Sequence, residues 1–103
     1  MPTNRYLERY GMTVDNWEAL WNYQNGLCII CEKRFGKKRL ACVDHDHKTG
    51  NVRGLLCQNC NWTIGQIHEN KRWLFNAREY LLYPPAKNVF AATKRHVDAP
   101  PER

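Results

Sequence analysis

The chain has 103 residues, a formal net charge of +6 and a sequence pI near 9.2. A chain this short is expected to form one small domain that buries roughly 60–70% of its unfolded surface, so its core needs a staple. Its five cysteines, its lack of any apolar run of membrane-spanning length and an opening Met1-Pro2-Thr3-Asn4-Arg5 unlike a signal peptide point away from a membrane protein or a disulfide scaffold, towards a cytoplasmic metal-binding domain whose basic excess suits a polyanion.

Residues 1–12 are polar and aromatic, with Arg5, Tyr6, Arg9 and Tyr10, and read as an irregular arm or a short helix. Thr13 is a good N-cap and Asp15 suits a first turn, while Val14, Trp17, Leu20 and Trp21 recur at helical spacing. That predicts a helix of about eleven residues with its tryptophans in the core, ended by Asn25-Gly26. Leu27 to Glu32 holds the first Cys-x-x-Cys pair. The stretch 33–39 is a basic loop, either solvated or in contact with phosphate; its proximity to 44–47 favours DNA contacts from Lys37, Lys38 and Arg39.

Two short apolar runs, 40–43 and 52–56, read as strands around the turn Lys48-Thr49-Gly50-Asn51. The second strand leads into Cys57 and Cys60, and a helix is predicted over 61–67 with Asn61 at its start. A last helix over 70–83, capped by Asn70, is expected to bury Trp73, Leu74, Ala77, Tyr80 and Leu81 and to stop at Pro84-Pro85. Residues 1–85 thus form the predicted domain. Residues 86–103, with Lys94-Arg95-His96, are expected to be a weakly ordered basic tail.

Cys28, Cys31, Cys57 and Cys60 form two Cys-x-x-Cys pairs separated by twenty-five residues. Thiolates at this spacing can fill the corners of a tetrahedron, which suits Zn²⁺; four of them leave no open position, so the metal is structural. The chemistry then falls to the segment between the pairs. His45 is the candidate general base, because imidazole near its ordinary pKa of about 6.5 has a neutral fraction available at pH 7. Asp44 and Asn61 offer oxygen ligands of the kind that Mg²⁺ or Mn²⁺ prefers. Strand, turn, strand and helix carrying these groups suit a one-metal nuclease. One geometric condition applies. Asp44 and His45 would point to opposite faces of a regular strand, so both can serve one phosphate only if the strand ends or bulges there. Asp46 reads as a structural residue of the turn, Cys42 as a small buried strand residue, and Arg53 as either a phosphate contact or a hairpin cap.

The string DHDH-x-TG-x-VRGLLC-x-x-CN, preceded by the pair at Cys28 and Cys31, resembles the phage recombination endonuclease VII family of His-Me finger (ββα-metal, HNH-like) nucleases. The likeness runs in order of elements from about Tyr10 to Tyr83 and is most specific over 28–61. It implies a small α+β, zinc-stapled ββα-metal fold: a hairpin plus helix, with flanking helices. It also implies a phage-encoded DNA endonuclease working in the host cytoplasm, with the catalytic metal on Asp44 and Asn61 and water activated by His45. His47 matches the family's second active-site histidine, which orients phosphate or water. Where the longer phage enzyme carries a histidine two residues before the first aspartate of DHDH, this chain has Cys42.

Two other readings stay open: a non-catalytic zinc-ribbon DNA-binding module, and an HNH nickase of packaging or restriction type. Resolving a junction needs two active sites. With one helix after the nuclease module and both aromatic stripes assigned to a single core, the expectation is a monomer that nicks DNA with modest preference for branched structures, against a homodimer.

Overall fold

The computed structural model describes residues 2–93, which fall into two compact units, one through His68 and one from Glu69. The first unit contains α1 (Asn4–Glu8), α2 (Val14–Tyr23), β1 (Ala41–His45), β2 (Val52–Cys57) and α3 (Gln58–Gln66); the second contains α4 (Lys71–Leu82) and α5 (Pro85–Thr93).

Helix α2 begins as its sequence predicts. Thr13 Oγ1 accepts from the Asn16 N–H at 3.1 Å, and Asn16 Oδ1 accepts from the Thr13 N–H at 3.0 Å, a reciprocal cap that satisfies two otherwise unpaired donors. The helix stops where Asn25 and Gly26 turn left-handed, at φ 56° and 68°. A Cβ on Gly26 would lie 3.3 Å from the Trp21 indole, so close packing adds to the conformational reason for glycine. Trp17 is buried and stacks on Trp21 with ring centroids 4.9 Å apart, and Trp21 meets the buried Phe35 at 5.6 Å. Leu7, Met12, Trp17, Cys28, Phe35, Val43, Leu55, Leu56 and Cys57 form the core, and all of them belong to the first unit.

Strands β1 and β2 form a two-stranded antiparallel sheet, pairing Ala41 with Cys57, Cys42 with Leu56, Val43 with Leu55 and Asp44 with Gly54. The register then slips. His45 pairs with Val52, which leaves Arg53 as an extra residue on β2. The hairpin closes through the Asp46 N–H to the Asn51 carbonyl at 2.8 Å and the Gly50 N–H to the Asp46 carbonyl at 2.7 Å, with Gly50 at φ 78°. Asp46 serves the turn as expected: its Oδ1 accepts from the N–H groups of Lys48 at 2.7 Å and Thr49 at 3.2 Å, which holds its carboxyl below the usual range.

A lone hairpin is marginal in water, and this one is covered. Helix α3 packs against both strands and α2 against β2. The buried Gln24, just past the end of α2, acts as a short substitute strand: its Nε2 donates to the Leu55 carbonyl at 2.9 Å and to the Leu27 carbonyl at 2.8 Å, and its Oε1 accepts from the Leu55 N–H at 2.9 Å. Gly54 makes room for this contact, because a Cβ there would lie 3.2 Å from Gln24 Oε1.

Several expectations need correction. The first strand runs Ala41–His45 rather than 40–43, so Asp44 and His45 lie within it. Helix α3 starts at Gln58, three residues before Asn61, because the Cys57 thiol is its N-cap. Cys42 is half-buried rather than buried. Helix α4 has its predicted cap, with Asn70 Oδ1 accepting from the Trp73 N–H at 2.9 Å, but it buries none of its residues. Trp73, Leu74, Tyr80 and Leu81 are exposed and Ala77 is half-buried. Beyond Pro84 the described residues continue as helix α5 through Thr93. Pro85, whose ring preorganises a first helical residue, opens α5, and Ala86, Ala91 and Ala92 favour its continuation. Lys94-Arg95-His96 lies outside the described residues.

Gln24→Ala is expected to leave the buried N–H and C=O of Leu55 without partners. At about 1–3 kcal/mol for each unsatisfied group, the loss should be on the order of 2–4 kcal/mol, read from the denaturant midpoint of unfolding. A shift below about 0.5 kcal/mol, the range of an ordinary surface substitution, would show that the clamp contributes little.

Candidate functional site

The first half of the site is a cluster of sulfur atoms. The thiols of Cys28, Cys31, Cys57 and Cys60 all lie within 4.8 Å of one another, with Cys31 Sγ and Cys57 Sγ 3.9 Å apart. A tetrahedron with Zn–S bonds near 2.3 Å has edges of about 3.8 Å, so the donor set and its spacing fit a closed four-thiolate zinc site. Among the described residues this is the only group of three or more His, Cys, Asp or Glu side chains arranged to hold a metal.

Local structure builds it. The Cys28 N–H donates to the Lys33 carbonyl and the Glu32 N–H to the Cys28 carbonyl, each at 2.9 Å, and Glu32 takes φ 61° to complete the knuckle. At the other pair, Cys57 ends β2 and its Sγ accepts from the Cys60 N–H at 3.5 Å, so one residue terminates a strand, caps a helix and joins the cluster. The thiols do not ionise alike. Burial works to raise Cys28, but backbone N–H groups of Cys31, Cys57 and Ile30 outweigh it and bring the thiol down to about 6. Burial, then the neighbouring sulfurs of Cys57, Cys28 and Cys31, push Cys60 up to about 12. A bound cation would favour the thiolate form of all four, since the thiolate is the metal ligand.

The second half is the end of the hairpin. Asp44 is buried and bound bidentately by Arg53: Nε donates to Oδ2 at 2.7 Å and Nη2 to Oδ1 at 3.0 Å. His45 is half-buried, with its ring 5.3 Å from Tyr10 and 5.0 Å from the exposed His47. Tyr10 in turn meets Tyr6 at 5.3 Å, and Tyr6 Oη accepts from the Val43 N–H at 3.0 Å, anchoring this row of rings to β1. The register slip falls opposite Asp44 and His45, with its extra residue on β2, and β1 ends at His45. Asn61 is half-buried in α3, in the turn that follows Cys57.

Lys37 and Lys38 are exposed at the tip of a tight turn closed between Gly36 and Arg39, while Arg39 is half-buried. Lys37 borders a groove of about 640 Å³ shared with Leu40, Ala41 and Cys42, beside the Ala41 end of β1. His45 is at the other end of that strand, roughly 13 Å away at 3.3 Å per residue. The expected DNA contacts are therefore not one patch, for Arg53 is at the Asp44 end and the lysines at the opposite one. Tyr6, Tyr10 and Gln24 have no place in the site as read from sequence. The four-residue spacing of the two tyrosines hinted at a shared face, but nothing local showed that the face would meet His45.

A profile of the recombination endonuclease VII family matches residues 3–83. The chain belongs to this family. Among curated proteins, the Gene 59 protein of Mycobacterium phage L5 is 45% identical to it over 96 residues, and the Gene 59 protein of Mycobacterium phage D29 is 41% identical over 96. Each alignment covers 92% of this chain and 58% of the relative, so the chain spans somewhat under three fifths of the length of these relatives. The matched region contains the cysteine cluster, whose donor set and spacing are consistent with structural zinc. No helix among the described residues is long and apolar enough to cross a membrane.

Cys57→Ser is expected to reduce bound zinc far below one per chain and to abolish the cooperative melt of the first unit. Binding free energies at such sites are on the order of 10–16 kcal/mol, above the stability of a typical small domain. Metal analysis and thermal unfolding check this together; a melt near the parent's with no metal bound would contradict it.

Proposed function

We propose that this chain is a metal-dependent DNA endonuclease of His-Me finger type, stapled by zinc, which hydrolyses phosphodiester bonds at the end of the β1–β2 hairpin. The observation that carries this reading is the register slip between Asp44 and His45, in a hairpin joined directly to α3 at the cysteine cluster. A purely structural zinc ribbon has no need of a buried, arginine-paired carboxylate beside a half-buried imidazole.

The roles follow from chemistry. His45 takes a proton from water, the resulting hydroxide adds to phosphorus, and the bond to the 3′ oxygen breaks. The Tyr10 ring packs beside the imidazole and limits its orientations. Asp44 and Asn61 supply a carboxylate and a carboxamide oxygen, a donor set suited to Mg²⁺ or Mn²⁺, with substrate oxygens and waters completing the shell. Held by these two residues, such a cation would supply charge neutralisation at the phosphate and at the leaving oxygen. His47, whose ring neighbours that of His45, is assigned to orienting the phosphate or the water. Lys37, Lys38 and Arg39 take the DNA backbone at the far end of β1, and Arg53 is the cation beside Asp44.

One chain carries one such site, so one chain makes one nick, and we assign a preference for branched over linear DNA. One support for a monomer falls away: the aromatic residues of α4 are exposed.

With Mg²⁺ and supercoiled, linear and four-way-junction DNA, the parent is expected to nick and His45→Ala to lose about 10²–10⁴-fold in rate while keeping fold and DNA affinity. Asn61→Ala is expected instead to move the Mg²⁺ titration to higher concentration. Near-normal turnover of His45→Ala removes it from the base role, and no cleavage by the parent favours the zinc-ribbon module.

DNA affinity should fall steeply with salt. Replacing both Lys37 and Lys38 with alanine should flatten log K against log salt by about 1.8, at about 0.9 per phosphate contact. An unchanged slope would make the 36–39 turn an ordinary solvated loop.

A further inference from the structure

Both oxygens of Asp44 are engaged by one side chain, and that side chain comes from the residue that the strand register leaves over. Arg53 sits at the slip where Asp44 faces Gly54 and His45 faces Val52. Its Nε and Nη2 reach Oδ2 and Oδ1 of Asp44 at 2.7 and 3.0 Å. The two partners differ in exposure, with the Asp44 side chain 9% accessible and the Arg53 side chain 35%. A buried carboxylate therefore has its charge met by a guanidinium at the surface, on a bulge that directs it across the hairpin.

The same carboxylate holds the catalytic cation in the proposed nuclease, and any role of Arg53 towards that cation rests on that reading. A divalent cation bonds a carboxylate oxygen at about 2.0–2.1 Å, which would bring it within a few ångströms of the guanidinium on that carboxylate. Two cations so close repel each other, and more strongly at a part-buried site than in open water. A phosphodiester changes the balance. The planar fork of arginine fits phosphate oxygens with the bidentate geometry it uses on carboxylate, so the guanidinium can pass from one anion to the other without losing its hydrogen bonds.

We infer that Arg53 is an internal competitor for the catalytic cation, and that DNA, by drawing the guanidinium from Asp44 onto a phosphate, makes metal and DNA load together. Arg53 is in this sense a positioning residue that couples two binding events. Metal bound without DNA is held weakly, and hydrolytic power is assembled where a phosphate is already present. Because linkage is reciprocal, the cation tightens DNA by the factor by which DNA tightens the cation.

The test is direct titration of the zinc-loaded full chain with Mn²⁺, followed by the electron paramagnetic resonance signal of the free ion, with and without a short DNA duplex. Every arm carries His45→Ala so that the DNA is bound and not cut. Asp44→Asn with the same duplex measures the Mn²⁺ taken up by the DNA and by other surfaces. Without DNA, Arg53→Ala should bind Mn²⁺ about 5- to 10-fold more tightly than the chain that retains Arg53. DNA should tighten Mn²⁺ by a larger factor when Arg53 is present than in Arg53→Ala, where only ligation by the phosphate itself is left to act. Arg53→Lys, which keeps the charge and loses the fork, should fall between. Equal or weaker Mn²⁺ binding by Arg53→Ala, with zinc content and melting unchanged, would make Arg53 a clip of the hairpin and overturn the inference. If Arg53→Ala does not fold, the chain with Arg53 decides alone: Mn²⁺ affinity that is indifferent to DNA overturns the inference. Uptake of Mn²⁺ no greater than that of Asp44→Asn overturns the metal-nuclease reading itself, and the coupling with it.

Discussion

Four sulfur atoms within 4.8 Å of one another impose the constraint on which the rest of the N-terminal unit depends. They bring the knuckle after α2 to the point where β2 becomes α3, closing a loop of twenty-five residues that contains the basic turn and the whole hairpin. The core it supports is small, with nine buried apolar residues, two of which are cysteines of the cluster. Cys57 concentrates the effect. Because it is at once the last residue of β2, the N-cap of α3 and a cluster member, the direction of the helix is tied to that of the strand. Asn61 is carried on the helix and Asp44 on the strand paired with β2, so a single junction governs how those two side chains stand to each other.

The chain also shows how a two-stranded sheet carries polar groups without a larger fold around it. One device is Gln24, whose carboxamide makes with Leu55 the pair of hydrogen bonds that a neighbouring strand would otherwise supply. Another is the bulge at Arg53, which breaks the ladder beside Asp44 and sends a guanidinium to the carboxylate. A third is the row of rings from Tyr6 through Tyr10 and His45 to His47, tethered to the Val43 backbone. Each device joins residues far apart in sequence. Together they give a hairpin of eleven paired or bulged residues a buried carboxylate, a half-buried imidazole and a defined end.

The helical unit from Glu69 illustrates a different relation between pattern and packing. Its apolar periodicity is real, and α4 forms with the expected cap, yet the helix buries none of its own residues. Amphipathicity belongs to a segment, whereas burial needs a second surface, and spacing within the segment says nothing of where that surface lies. The prolines were similarly ambiguous: Pro84 follows the end of α4, while Pro85 starts α5 instead of beginning an irregular tail.

What is local, or carried by residue type and spacing, was legible in the chain. The Thr13 cap, the Asn25-Gly26 stop, the turn at Lys48-Thr49-Gly50-Asn51 and the two Cys-x-x-Cys pairs could be read directly, because each depends on contacts within a few residues or on a donor chemistry with few uses. Family membership was legible for the same reason, since the motif string is contiguous. The tertiary structure alone decided that Cys57 caps α3, that Gln24 completes the edge of β2, that Tyr10 meets His45, and that Arg53 is spent on Asp44 while Lys37 and Lys38 stand at the other end of β1. These depend on strand register. One residue more or less opposite Asp44 changes which face a side chain takes, and register is settled by the packing of both strands against α3 and of β2 against α2 rather than by the residues of either strand alone.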